Sequence, residues 1–262
     1  MCARLSGKRI LLTRPRESAA GLAEMIVEAG GEPICVPAME IATIENVGPA
    51  RAQLQAAHEC AVVIFISRNA VEHANAITPL ASIGIGIAVA PGKTTAQALR
   101  DCGVGNVAVP QYGHDSTAML AMTAFTNISK QSVLIVRGEG GLDQLRDKLT
   151  QLKANVRVCE VYRRRKPDSC HADLKQSLDS PLDAICVASG ETLQNLVDGE
   201  SEEIVTRLHS ATLFVPSERV SVLAKAMGFR RCVVATSPDD IGYLDSLKNW
   251  GAPPTWDSHA PG

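Results

Sequence analysis

Residues 89–99 read VAPGKTTAQAL, and Gly92-Lys93-Thr94 matches the closing part of a loop that wraps nucleotide phosphates. Such a loop also needs a glycine five residues before the second one, so that successive N–H groups turn around the phosphates. That place is held by Ile87, and Gly86 falls one residue too early. Residues 87–90 read as strand as well, so the spacing argues against phosphotransfer. What remains is a small, hydroxyl-rich turn between a strand and a helix.

The same kind of turn recurs along the chain. TRPR follows the apolar run at 9–13, SRNAV closes the run at 61–67, and RGEGG follows that at 132–137. SGET closes the run at 183–189, and PSERV that at 211–216. A helix start exposes free N–H donors and the positive end of the helix dipole. Glycine lets a ligand approach the backbone, and serine or threonine adds a donor. The candidate binding residues are Arg14, Ser67, Gly92, Thr94, Arg137, Gly138, Ser189, Gly190, Ser217 and Arg219. Serine and threonine at these places are also ordinary helix caps, so each turn alone has two readings. In a parallel sheet the turns open on one edge, where ligands usually bind. Two such edges facing one another would form a cleft for a ligand with many negative charges, a polycarboxylate or polyphosphate.

The side chains of common catalytic sets are missing: G-x-S-x-G, H-E-x-x-H and paired-carboxylate motifs do not occur. Of the six histidines, most lie in helical or tail segments and are expected to face solvent; His114, in YGHDST, sits at a strand exit. The eight cysteines show no C-x-x-C and no zinc-finger spacing. Cys35, Cys159, Cys186 and Cys232 fall in apolar strand-like runs and read as small buried hydrophobes. No metal is expected.

These turns need a scaffold, and the chain supplies one. Ten short apolar runs alternate with helical patterns from residue 9 to residue 236. Most runs are continuously apolar, which suits parallel strands covered on both faces. Gly30, Gly103 and Gly228 each close a helical segment ahead of the next run. The fold class is α/β, as two doubly wound, flavodoxin-like parallel-sheet domains of five strands each. Two segments lack the strand–helix rhythm: residues 37–49 and YRRRKPDS at 162–169. With linkers at 38–43 and 161–167, one domain comprises 1–37 plus 168–262 and the other 44–160, joined by a two-stranded connection. The Pro/Gly-rich tail from Gly251 is expected to fray.

The net charge of −2 and the 3% aromatic content argue against nucleic-acid and membrane partners. No stretch approaches the roughly 20 apolar residues of a membrane span, and the first residues do not read as a secretory signal. A cytosolic protein is expected.

The chain resembles uroporphyrinogen-III synthases over about residues 8–248. The resemblance is carried in colinear order by LLTRPRESAAGLAEMIVEAGGEP, FISRNAVEHA, PGKTTAQAL, GHDSTAML, VLIVRGEGGLDQLRDKL, VCEVYRRRKP, VASGETLQNL and VPSERVSVLAKAMGF. It implies a cofactor-independent cyclising lyase of tetrapyrrole (haem) biosynthesis that acts on hydroxymethylbilane. The terminal hydroxyl of that substrate leaves, the last pyrrole attacks through its substituted carbon, and a spirocyclic intermediate fragments and recloses with that ring inverted. The resemblance implies Tyr162 as the proton donor to the leaving hydroxyl; an ordinary phenol is protonated at neutral pH. It adds Thr95, in Gly92-Lys93-Thr94-Thr95-Ala96, and Ser116, in GHDSTAML, as substrate contacts. It further implies a monomer that meets the enzyme supplying its substrate only transiently. Pro91, Arg68 and His114 depart from the usual family residues. The rival readings are a two-lobed polyanion-binding protein and a regulatory homologue without synthase activity.

Overall fold

The computed structural model describes residues 5–250, apart from 112, 114, 115 and 142. The chain divides into two compact units, Met1–Glu40 with Lys166–Gly262, and Ile41–Arg165.

The first unit carries β1 (Arg9–Leu12) and β2 (Glu32–Cys35), with α1 (Arg16–Glu28) between them. The second carries β3 (Glu40–Thr43, entered from the first), α2 (Val47–Gln55), β4 (Val62–Phe65), α3 (Arg68–Ile77) and β5 (Ala88–Val89). It continues with α4 (Lys93–Asp101), β6 (Val107–Ala108), α5 (Ser116–Leu120), β7 (Ser132–Gly138), α6 (Gln144–Gln151) and β8 (Asn155–Arg165). The first unit resumes with α7 (Cys170–Ser177), β9 (Ala184–Cys186), α8 (Gly190–Val197), α9 (Glu202–Ser210) and β10 (Thr212–Val215). It ends with α10 (Glu218–Ala226), β11 (Cys232–Val234) and α11 (Asp240–Asn249).

The first sheet runs β11-β10-β9-β1-β2, and its strands pair in parallel. This is the flavodoxin-like order 2-1-3-4-5, with its reversal point between β1 and β9. The second sheet runs β3-β8-β7-β4-β5-β6. Without β3 it has the other doubly wound order, 3-2-1-4-5, and reverses between β4 and β7. Its sixth strand was not expected from the sequence. Glu40–Thr43 is short and only partly buried at the sheet edge, so it lacks the apolar signature of an inner strand. Tyr162–Arg165 also belongs to β8, although its run of arginines reads as a linker.

The continuous apolar runs arise because alternate residues enter different cores. In β4, Val63 and Phe65 join one cluster, whereas Val62 and Ile64 join the other. In β1, Leu11 faces away from Ile10 and Leu12. Complete burial of such a side chain contributes about 1.5–3 kcal/mol. On α1, Ala19, Leu22 and Ile26 form the buried stripe. Gly30 ends that helix at φ +85°, with Gly103 and Gly228 doing the same at +81° and +95°. A Cβ at these places would be strained. The described cysteines are free thiols; burial pushes Cys159 and Cys186 up to about 12.

Where the chain re-enters the first unit, Lys166 Nζ donates to Glu200 Oε1 at 2.8 Å, and His171 Nδ1 lies 2.7 Å from Oε2. The Glu200 side chain is only 1% exposed. Burial alone would raise its carboxyl, but the hydrogen bonds and charges of Lys166 and His171 outweigh this and hold it below the usual range. A depressed folded value gives stability present above the unfolded value of about 4.3 and lost as pH falls through the folded value. Glu200→Gln is therefore expected to cost about 1–3 kcal/mol at neutral pH. Urea denaturation at neutral pH and below about pH 4 should show the deficit shrinking in acid.

Candidate active site

The strand-exit turns share one local geometry. Ser67, Gly92, Ser189 and Ser217 each stand immediately before a helix with extended backbone, at φ −161°, −165°, −161° and −165°. Two of these turns cap themselves. Ser67 Oγ accepts from Ala70 N at 3.1 Å, and Ser189 Oγ accepts from Thr192 N at 3.1 Å. Gly190 follows Ser189 and packs near Leu223, where an added Cβ would lie 3.0 Å from Cδ2.

The other two turns stay open. Gly92 has no side chain to offer α4, and Ser217 makes no capping bond to α10. The cations that follow, Lys93 and Arg219, are exposed and have no ion pair among the described residues. Thr94 is exposed at the same helix start, whereas Thr95 is only 6% exposed. The Thr95 hydroxyl has no hydrogen-bond partner among the described residues. Unlike the Thr78 hydroxyl, which is buried without a partner among the described residues, that of Thr95 keeps access to solvent. The turn from β5 to α4 is only residues 90–92, too short to wrap a polyphosphate.

Two cations expected at the site are used internally. Arg14 Nη1 donates to Asp240 Oδ1 at 2.5 Å and Nη2 to the Pro238 carbonyl at 3.0 Å, with the guanidinium 4.9 Å from the Tyr243 ring centre. Arg137, 8% exposed, donates to Asp143 at 3.0 Å, to the Gly141 carbonyl at 2.9 Å and to Glu160 at 3.3 Å. A buried guanidinium needs such partners, so Arg14 and Arg137 shape their turns rather than offer a free charge. Ser116 begins α5, and its side chain lies outside the described residues, as does His114. Arg68 pairs with Glu72 one turn along α3, at 2.6 Å.

Tyr162 stands on β8 and reaches past β7 towards the reversal point of the second sheet. β7 and β8 pair regularly up to Arg137 with Glu160, and then Gly138 pairs with Tyr162. Val161 is thereby the extra residue of a β-bulge, which re-aims the side chain after it. Cys159, Val161 and Tyr162 consequently all enter the same core cluster, although strict alternation would send Tyr162 to the other face. The Tyr162 ring lies against Gly138, where an added Cβ would fall 2.4 Å from Cε2. Gly138 therefore acts as the floor beneath the ring.

The phenol, 5% exposed, brings its hydroxyl to 3.4 Å from Ser67 Oγ at the exit of β4. That separation exceeds an ordinary O–H···O bond. His73 closes another side, its ring centre 5.6 Å from that of Tyr162 and its Nδ1 3.1 Å from Thr43 Oγ1. Burial is the main influence on His73 and lowers it, against the opposing charge of Glu72. His58 and His171 face solvent as expected of most of the histidines, whereas His73 is half-buried. A usable signal lay in its place three residues after buried Ala70 and one before buried Ala74.

The family model described as uroporphyrinogen-III synthase HemD matches residues 20–244. The uroporphyrinogen-III synthase of Salmonella typhimurium is 29% identical over 247 residues, 91% of this chain and 99% of that protein. The synthase of Proteus mirabilis is 26% identical, covering 72% of this chain and 96% of its own length. Among solved structures, the uroporphyrinogen-III synthetase of Helicobacter pylori aligns with a TM-score of 0.56 at 15% identity, over 91% of this chain and 97% of that one. A mutant synthase from Thermus thermophilus gives 0.55 at 15% identity, over 93% and 100%. At such identities the structural likeness speaks for the fold.

Gly138→Ala should force the Tyr162 ring from its place. The expected result is a loss of about 1–3 kcal/mol in stability, as for other overpacked sites, with turnover falling further than stability alone explains. Thermal melts and initial rates on the same preparation check this.

Proposed function

The chain belongs to the uroporphyrinogen-III synthase family, and from that premise we propose how its residues carry the reaction. It is a cofactor-independent cyclising lyase that converts hydroxymethylbilane to uroporphyrinogen III in tetrapyrrole biosynthesis. The observation that supports our assignment of roles is the buried phenol of Tyr162, held across the exits of β4 and β7 by Gly138 and Ser67.

Tyr162 gives its proton to the departing hydroxyl, so that water leaves. The resulting cation of the terminal pyrrole is attacked by the substituted carbon of the last ring. The spirocyclic intermediate then opens and recloses with that ring inverted. Positioned proton transfer typically contributes a factor of roughly 10²–10⁴, and correct orientation of the two chain ends supplies the rest.

Carboxylates of the substrate are taken by the open helix starts at Gly92 and Ser217, with Lys93 and Arg219 beside them. Thr94 and Thr95 add hydroxyl donors at α4, and the unpartnered Thr95 hydroxyl supports that placement. Ser189, Gly190, Arg14 and Arg137 hold the shapes of neighbouring turns. Among the described residues no helix is long and apolar enough to cross a membrane. The enzyme works in this reading as a cytosolic monomer that meets its substrate-supplying enzyme briefly, because free bilane closes by itself to the I isomer.

Tyr162→Phe is expected to lower turnover by roughly 10²-fold and to shift the product towards the I isomer. The check is a coupled assay in which the deaminase that makes hydroxymethylbilane supplies it in situ, with the porphyrin isomers separated after oxidation. Unchanged turnover and isomer ratio would remove Tyr162 from the chemistry. Thr95→Val, nearly isosteric and lacking the hydroxyl, should raise KM more than it lowers kcat; an unchanged KM would detach Thr95 from the substrate.

A further inference from the structure

Among the described residues, the Tyr162 hydroxyl meets one hydrogen-bonding group, the Ser67 hydroxyl at 3.4 Å. Ser67 Oγ already accepts the Ala70 N–H at 3.1 Å as the cap of α3. One proton and one lone pair therefore remain on that hydroxyl for the phenol. A phenol that has given up its proton leaves a phenolate, and a buried charge without a donor is costly. The other close neighbours do not donate to it: Gly138 presents only carbon to the ring, and the Nδ1 of His73 lies on Thr43 Oγ1.

We infer that Ser67 is a positioning residue that acts through Tyr162, accepting from the phenol at rest and donating to the phenolate after proton transfer. The inference rests on the reading of Tyr162 as the acid. The change needs only a rotation of the serine O–H, since the oxygen can keep its bond from Ala70 in both states. The start of α3 favours negative charge at the same spot. Protons balance without a co-reactant. The phenolic O–H breaks, and its proton leaves with the substrate hydroxyl as water when the C–O bond breaks. After ring inversion, the free α-carbon of the last pyrrole forms its new bond and loses its hydrogen as a proton. That proton restores the phenol. Ser67 keeps its own proton throughout.

Three Ser67 variants separate this role from helix capping. Ser67→Gly removes the hydroxyl but retains most of the capping preference, and Ser67→Thr retains both. Ser67→Asn, an equally good cap without a hydroxyl, serves if the glycine variant does not fold. Each is assayed alone and combined with Tyr162→Phe, with kcat, KM and the pH dependence of kcat measured. Ser67→Gly should lower kcat about tenfold, a fraction of a full general-acid contribution, at unchanged KM. Its alkaline limb should move to higher pH, because the phenolate loses its donor. Ser67→Thr should restore both properties, and the glycine effect should vanish in the Tyr162→Phe background. An equal loss in that background, full activity of Ser67→Gly, or failure of threonine to restore activity would each overturn the inference while leaving Tyr162 as the acid. Full activity of Tyr162→Phe alone would instead remove the acid reading itself.

Discussion

One extra residue in β8 sets the position of the Tyr162 phenol. Gly138 skips Val161 and pairs with Tyr162. In a regular ladder alternate side chains leave on opposite faces, and Tyr162 would then enter the core beneath α6. The bulge sends it towards α3, where Ser67 stands. Two features must coincide for this to work. The bulged strand must carry the ring, and the facing strand must carry a residue without a Cβ. The contact with Gly138 meets that second demand. The Tyr162 carbonyl also accepts the Glu139 N–H at 2.8 Å, so the strand pairing resumes directly beyond the irregularity. A rigid sheet thus holds the phenol in place.

The division between closed and open turns follows from the electrostatics of burial. A guanidinium withdrawn from water must be paired, and Arg14 and Arg137 each have acidic and carbonyl partners. Once paired, they brace the turns after β1 and β7. In the proposed reading, anion acceptance falls to groups that need no partner to remain in place. Backbone N–H donors at a helix start are fixed by the helix itself, and they lose no side-chain entropy on binding. Gly92 leaves such donors uncovered at α4, and Ser217 does not cover those of α10. Lys93 and Arg219 are exposed beside these starts, and any attraction they exert on an anion would be screened by salt.

Much of this was legible in the residues because it follows from local rules. Apolar runs without alternation imply strands buried on both faces, and β4 and β1 show the two-core arrangement that produces them. Glycines at 30, 103 and 228 marked helix ends that do adopt positive φ. Other features depend on pairing across the sheet and left no local trace. β3 is recognisable only beside β8, and the bulge requires knowing that Gly138 faces Tyr162. The sequence marks Ser67, Ser189, Gly92 and Ser217 as one class. Glycine visibly cannot cap with a side chain, but only the structure separates Ser217 from Ser67 and Ser189, because a capping bond depends on side-chain rotamer. Arg14 and Arg137 looked like free cations for the same reason: Asp240 and Glu160 are distant in sequence.

The demands of the reaction fit this economy of means. Hydroxymethylbilane can close in two ways, with or without inversion of its last ring, and both routes begin with loss of the same hydroxyl. A proton donor by itself would speed both. Selection must come from holding the chain so that the substituted carbon reaches the cation first. A roughly hundredfold preference requires about 2.7 kcal/mol between the two transition states. One or two well-placed hydrogen bonds from fixed donors are sufficient for that. The enzyme therefore does not need a metal-like charge or a covalent nucleophile to direct the outcome. It needs donors that do not move when the substrate does; the roles proposed for a sheet-anchored phenol and helix-start amides meet that requirement better than long, flexible cationic side chains could.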